Sequence, residues 1–104
     1  MTSREEIIDL ALEEQIRANE QYPLFHSPHE AYGVIAEEVD EMFFEANQVK
    51  EELKKMWEMV KEDVDIQPKA REIRWKAVCV AQESIQVIAM CNKLLQSDVY
   101  KVRT

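Results

Sequence analysis

Residues 29–46, HEAYGVIAEEVDEMFFEA, decide how the chain folds. Apolar residues recur there at three- and four-residue spacing, the pattern of an amphipathic helix. Several of its acids nevertheless fall on the apolar side. Projected at about 100° per residue, Glu38, Glu41 and Glu45 lie within about 60° of one another. The same sector holds Ala31, Val34, Ile35, Met42 and Val49. Glu37 sits at the border of this stripe, and Asp40 points away as an ordinary solvated acid does. A carboxylate turned toward an apolar interior must be neutralised, paired or bound to a cation.

Working outward, Ser27-Pro28-His29-Glu30 is a capping box with proline at the favoured first helical position, so the helix starts there. Upstream, Ser3-Arg4-Glu5-Glu6 is a second capping box, ahead of a stripe of Ile7, Ile8, Ala11, Leu12 and Ile16. This first helix is expected to fade over residues 19–22 and to end at Pro23. Between the two helices, Leu24 and Phe25 are the apolar anchors of a loop. Downstream, Val49, Leu53, Met56, Trp57 and Val60 keep the helical period, either as a continuation of the second helix or after a kink near Asn47-Gln48. The next break precedes Pro68, and a last helix is expected over residues 69–96. Its centre, AVCVAQESIQVIAMC, is apolar nearly all round, as a helix buried on several sides or in a dimer interface is. No alternating strand pattern occurs. The expectation is one all-α domain spanning residues 1–104, with four helical segments in a bundle.

Composition narrows the class. With 21 acids against 13 bases the formal net charge is −8, which discourages nucleic-acid binding. No apolar run approaches the roughly 20 residues that cross a bilayer, and the start MTSREEIIDL has no secretory-signal pattern. A soluble cytoplasmic protein is expected. Cys79 and Cys91 are twelve residues apart in one helical segment, about 18 Å in rise, too far for a disulfide. They read as buried reduced thiols.

The last helix repeats the anomaly of residues 29–46. Glu83 and Gln86 are neighbours on a face with Cys79, Val80, Val87, Met90 and Leu94, and Lys76 lies on it two turns earlier. A plain structural reading pairs Glu83 with Lys76 or an arginine. The matched pairs Glu38/Glu41 and Glu83/Gln86, with Glu37 or Glu45 as a fifth group, favour instead a hard-oxygen site for Mg²⁺ or Mn²⁺. A di-iron bundle needs Glu-x-x-His, which the chain lacks. An acidic decoy that mimics DNA would rest on net charge alone.

AEEVDE (residues 36–41) followed by ESIQ (residues 83–86) resembles the all-α nucleoside triphosphate pyrophosphatase superfamily, the MazG-like proteins and their dimeric dUTPase relatives. SPHEAYGVIAEEVDEM with ESIQVIAM looks closest to short MazG-like proteins of phage and prophage origin, over roughly residues 27–95. The pattern is Glu-Glu-x-x-Glu on one helix and Glu-x-x-Asp on a later one. The resemblance implies a Mg²⁺-dependent hydrolase that splits a nucleoside triphosphate into monophosphate and pyrophosphate. It implies Glu38, Glu41, Glu83 and Gln86 as metal ligands, and catalytic roles for Glu37 and Glu38, with Glu37 a further ligand or the base for water. It further implies a homodimer or homotetramer. Lys76 and Lys93 are candidates for phosphate oxygens, and Tyr32 or Trp57 for stacking on the base. Gln86 departs from the pattern, which has Asp there; its carbonyl can coordinate a hard cation but brings one charge fewer. The alternative expectation is a helical binding module with reduced chemistry.

Overall fold

The computed structural model describes residues 2–21 and 24–97. It has three helices in order, α1 (Arg4–Gln21), α2 (Pro28–Lys61) and α3 (Gln67–Gln96), and no strand among the described residues. The fold is all-α, as expected, with three helices in place of four segments. The two middle segments are one helix: Asn47 and Gln48 are weak helix formers, but neither Gly nor Pro interrupts the backbone there. The expected stop at Pro23 lies outside the described residues. Among the described residues no helix is long and apolar enough to cross a membrane.

Each helix end has a local cause. Ser3 and Glu6 close a reciprocal box: the Glu6 N–H donates to Ser3 Oγ at 3.1 Å, and the Ser3 N–H donates to Glu6 Oε1 at 3.4 Å. Ser27 caps α2 by accepting the Glu30 N–H at 3.1 Å, with Pro28 in the first turn. Only half of that expected box forms, because Glu30 turns toward His26, with Oε2 3.6 Å from Nδ1. At the far end of α2, Val64 N–H reaches the Met59 carbonyl and Asp63 N–H the Val60 carbonyl. This is a Schellman turn, with Asp63 in the left-handed region at φ 57°. The Asp65 carboxylate then accepts the Gln67 N–H at 3.0 Å and starts α3.

The turn sends α3 back antiparallel to α2, and α3 packs along both other helices. Near the turn, Lys69 Nζ lies 2.6 Å from Glu52 Oε2; at the other end the Phe25 N–H donates to Ser97 Oγ at 3.3 Å. The core is small and sits at that second end: Phe25, Ala31, Ala89 and Met90 are buried, with Ala18, Val34, Ile35 and Leu94 against them. Three alanines without exposed surface, Ala11, Ala31 and Ala89, come one from each helix, which lets the backbones approach closely.

Three sequence expectations change here. The buried face of α1 carries Ala11 and Gln15, whereas Ile8, Leu12 and Ile16 are exposed. The small residues face the other helices because only they permit close contact. The centre of α3 is open on one flank, with Val78 51% exposed, since two neighbouring helices cover only part of its surface. Cys79 and Cys91 are free, and half-buried rather than fully buried.

Glu52 is buried and is held by Lys69 and by Lys55, whose Nζ is 3.1 Å away. The hydrogen bonds from these two lysines bring its carboxyl down to about 2. A depressed carboxylate stabilises the fold above its ordinary value near 4.5, and this is lost as pH falls through the folded value. Lys69→Ala is therefore expected to lower the melting temperature at neutral pH, with the deficit closing as pH falls toward 2. Gly33, in the second turn of α2, is exposed, and a Cβ there would meet nothing within 4 Å. Gly33→Ala is expected to add about 0.5–1 kcal/mol of stability, read as a higher denaturation midpoint.

Candidate metal centre

The antiparallel register brings the middle of α2 level with the middle of α3. Glu38 and Glu41 are one turn apart on α2, and Glu83 faces them from α3. Each offers an oxygen, and the three oxygens lie within 4.8 Å of one another. Glu38 and Glu83 are half-buried and Glu41 is exposed, so the cluster has a closed side and an open one.

Its electrostatics are those of a site short of positive charge. No Lys, Arg or His pairs with these three acids among the described residues. Burial, then contact with the Glu41 carboxyl and the charges of Glu41 and Glu38, push the Glu83 carboxyl up to about 7. Burial and the neighbouring Glu41 raise Glu38 as well; contact with Glu83 opposes that rise, while Glu37 and Glu14 add to it. Glu83 Oε2 is buried and has no hydrogen-bond partner. A buried acceptor without a donor costs free energy, and an ion or a proton relieves it.

The donor set suits a hard cation. An ion centred among three oxygens up to 4.8 Å apart would stand within about 2.8 Å of each. That is about 0.7 Å longer than the roughly 2.0–2.1 Å of magnesium–oxygen contacts, so the three carboxylates would have to draw together to ligate an ion of that size. The open side leaves room for the waters that a hard cation keeps.

Of the other residues singled out in the sequence, Glu37 is exposed beside Glu38, and Asp40 is exposed as expected. Gln86 is half-buried and lines a cavity of about 460 Å³ between α1 and α3, with Glu14, Arg17 and Gln82 also in its wall. Lys76 is half-buried on the inner face of α3, about 10 Å in rise from Glu83. Lys93 is buried about 15 Å beyond Glu83 along α3, its Nζ 4.7 Å from the centre of the Phe25 ring. Tyr32 is exposed about 9 Å before Glu38 along α2, beside an apolar cavity walled by Pro28, Ile35 and Leu94. Trp57 is about 24 Å past Glu41 on the same helix, so within one chain it is not brought to the carboxylates. Glu45 is half-buried on α2 outside the cluster.

No protein-family model, curated protein or solved structure matches the chain.

Sequence reasoning missed the contribution of α1. Glu14 adds negative charge toward Glu38, and the carbonyl oxygens of Gln15 and Asn19 are buried without partners. Gln15 and Asn19 are four apart, on the face that holds Ala11 and Ala18. Polar side chains among alanines were the available signal, hidden by the bulkier isoleucine stripe beside them.

Proposed function

We infer that the chain is a divalent-metal-dependent nucleotide pyrophosphohydrolase of the MazG-like kind, converting a nucleoside triphosphate to monophosphate and pyrophosphate. The observation that carries this reading is the Glu38, Glu41 and Glu83 cluster, three oxygens within 4.8 Å of one another with no Lys, Arg or His paired to them among the described residues. The resemblance of Glu37-Glu38-x-x-Glu41 and Glu83-x-x-Gln86 to the Glu-Glu-x-x-Glu and Glu-x-x-Asp pattern, with Gln86 in place of its Asp, suggests the reaction class. On this reading the protein acts in the cytoplasm on the nucleotide pool, as a homodimer or homotetramer and without nucleic acid.

Glu38, Glu41 and Glu83 would hold Mg²⁺, or Mn²⁺ in its place, with the carbonyl of Gln86 as a fourth ligand. Such an ion supplies Lewis-acid polarisation of phosphoryl oxygens and an activated water. The chain's own part is to hold carboxylates at fixed spacing on two rigid helices and to manage protons. Glu83, with its carboxyl near 7, must release a proton before it ligates, so metal affinity rises with pH across neutrality. Glu37, exposed next to Glu38, accepts the proton of the attacking water. Lys76 lies on the same face and meets phosphate charge. Tyr32 is the aromatic for the base nearer in sequence to the site.

Gln86 favours a second reading, a binding module on the same scaffold with its chemistry reduced. One experiment separates the two. The pure protein is incubated with a panel of ribo- and deoxyribonucleoside triphosphates with Mg²⁺ or Mn²⁺, and monophosphate and pyrophosphate are quantified. Release of both in equal amounts from at least one nucleotide, dependent on metal, is the expected result. Absence of release from every nucleotide, with metal still bound, would establish the binding module.

A further inference from the structure

One turn past Glu83, α3 carries an uncharged side chain. Gln86 is half-buried, and its amide offers a neutral carbonyl where a carboxylate would offer charge. The charge beside it comes from α1. Ala18 packs against the core that contains Ala89 and Met90. Four residues before Ala18 and Met90 stand Glu14 and Gln86. Both side chains line the cavity of about 460 Å³ between α1 and α3, together with Gln82, the neighbour of Glu83 in sequence. Among the acids of α1, Glu14 alone is half-buried and the others are exposed. Its charge adds to the repulsion felt at Glu38, so the cavity wall adjoins the carboxylate cluster.

As folded, Glu14 is held by Arg17, with Nη2 3.1 Å from Oε2. That arginine side chain is 66% exposed, and an ion pair so open to water holds a carboxylate weakly. Glu14 stands outside the group of oxygens that lie within 4.8 Å of one another, which belong to Glu38, Glu41 and Glu83. Its reach to an ion there is therefore through a water. A hard cation keeps several of its waters, and acceptors that hold such outer groups tune metal affinity.

We propose that Glu14 is an outer ligand of the candidate metal centre, accepting a hydrogen bond from a water on the ion and supplying from α1 the charge that Gln86 lacks. The inference rests on the metal reading of Glu38, Glu41 and Glu83, and not on the reaction assigned to that centre. It gives α1 a part in the site beyond covering α3: the first helix closes the ion's outer shell on the side where α3 turns neutral.

The test is Mn²⁺ binding to the metal-free full chain at pH 8, read from the free-ion signal in electron paramagnetic resonance. Glu14→Gln is expected to bind about 10- to 100-fold more weakly than the parent, the range for loss of an outer-shell partner. Adding Gln86→Asp to that variant should recover most of the loss, because one negative charge returns to the same wall. Glu13→Gln removes an equal charge from the exposed neighbouring position and should bind as the parent does. Arg17→Gln releases Glu14 from its partner and should bind more tightly, which decides the matter even if Glu14→Gln does not fold.

A Glu14→Gln variant with the parent's affinity, or a Glu13→Gln variant that loses as much, would overturn the proposal. So would a double variant no tighter than Glu14→Gln, or an Arg17→Gln variant no tighter than the parent. Hydrolysis is scored separately. The expected order of affinities in a protein that splits no nucleotide would leave Glu14 in place and end the assigned reaction. Hydrolysis with an affinity indifferent to residue 14 would do the reverse, and a parent that binds no Mn²⁺ would overturn both.

Discussion

Glu83→Gln is expected to raise the melting temperature of the metal-free protein at pH 7.5 by about 5 °C, the scale of roughly 1 kcal/mol in a domain of this size. Two things produce this. Glu83 faces Glu38 and Glu41 across a gap of less than 4.8 Å, and its own Oε2 is buried without a donor. An amide removes one of three like charges and keeps the shape. The sign with pH follows from the same group. A folded carboxyl raised to about 7 binds a proton that the unfolded chain has lost above about 4.5. Stability in the absence of metal therefore falls as pH rises between those values, and the Gln variant loses this dependence. The substitution also removes the response to metal. The parent gains stability from Mg²⁺ or Mn²⁺ above neutral pH, because an ion that binds only the folded state stabilises it by mass action. The variant gains little. Thermal scans of both proteins, with and without metal at pH 5.5 and 7.5, check all three effects. A variant less stable than the parent without metal would mean that Glu83 ties the fold together and has no unmet demand for a cation.

Glu38→Ala is expected to lower kcat/KM for the preferred nucleotide by at least about a hundredfold, beyond the 10- to 100-fold typical of an outer-shell partner of a metal. Glu38 is one of three carboxylates whose oxygens lie within 4.8 Å of one another, so its removal leaves only Glu41 and Glu83 to hold an ion. Asp40→Ala, one turn face away and exposed, should keep the parent's rate. Hydrolysis that survives Glu38→Ala places the reaction elsewhere in the molecule.

The sequence made these carboxylates legible because helical projection is local. It needs only the angle per residue, and that angle holds throughout the unbroken α2 and α3. The helix starts at Ser3 and Ser27 were legible for the same reason, since each cap is written within four residues. What projection could not supply was register between elements. The Glu52–Lys69 pair joins residues seventeen apart across a turn, and only the antiparallel hairpin brings them together. The orientation of α1 was hidden because two faces of that helix compete, one with larger apolar side chains and one with alanines. Hydrophobicity favoured the first, and close packing against α3 chose the second. Asn47-Gln48, where the sequence left a continuous helix and a kink as alternatives, shows the converse: propensity alone does not interrupt a helix when its neighbours on both sides keep the period.

The most direct test of the central claim is a titration of the metal-free protein with Mn²⁺, read by electron paramagnetic resonance of the free ion. The account predicts saturable binding that strengthens from pH 6 to pH 8 as Glu83 gives up its proton, and that is abolished by Glu38→Ala and by Glu83→Gln. Mn²⁺ binding that is undetectable in the parent, or that persists unchanged in both variants, would contradict it.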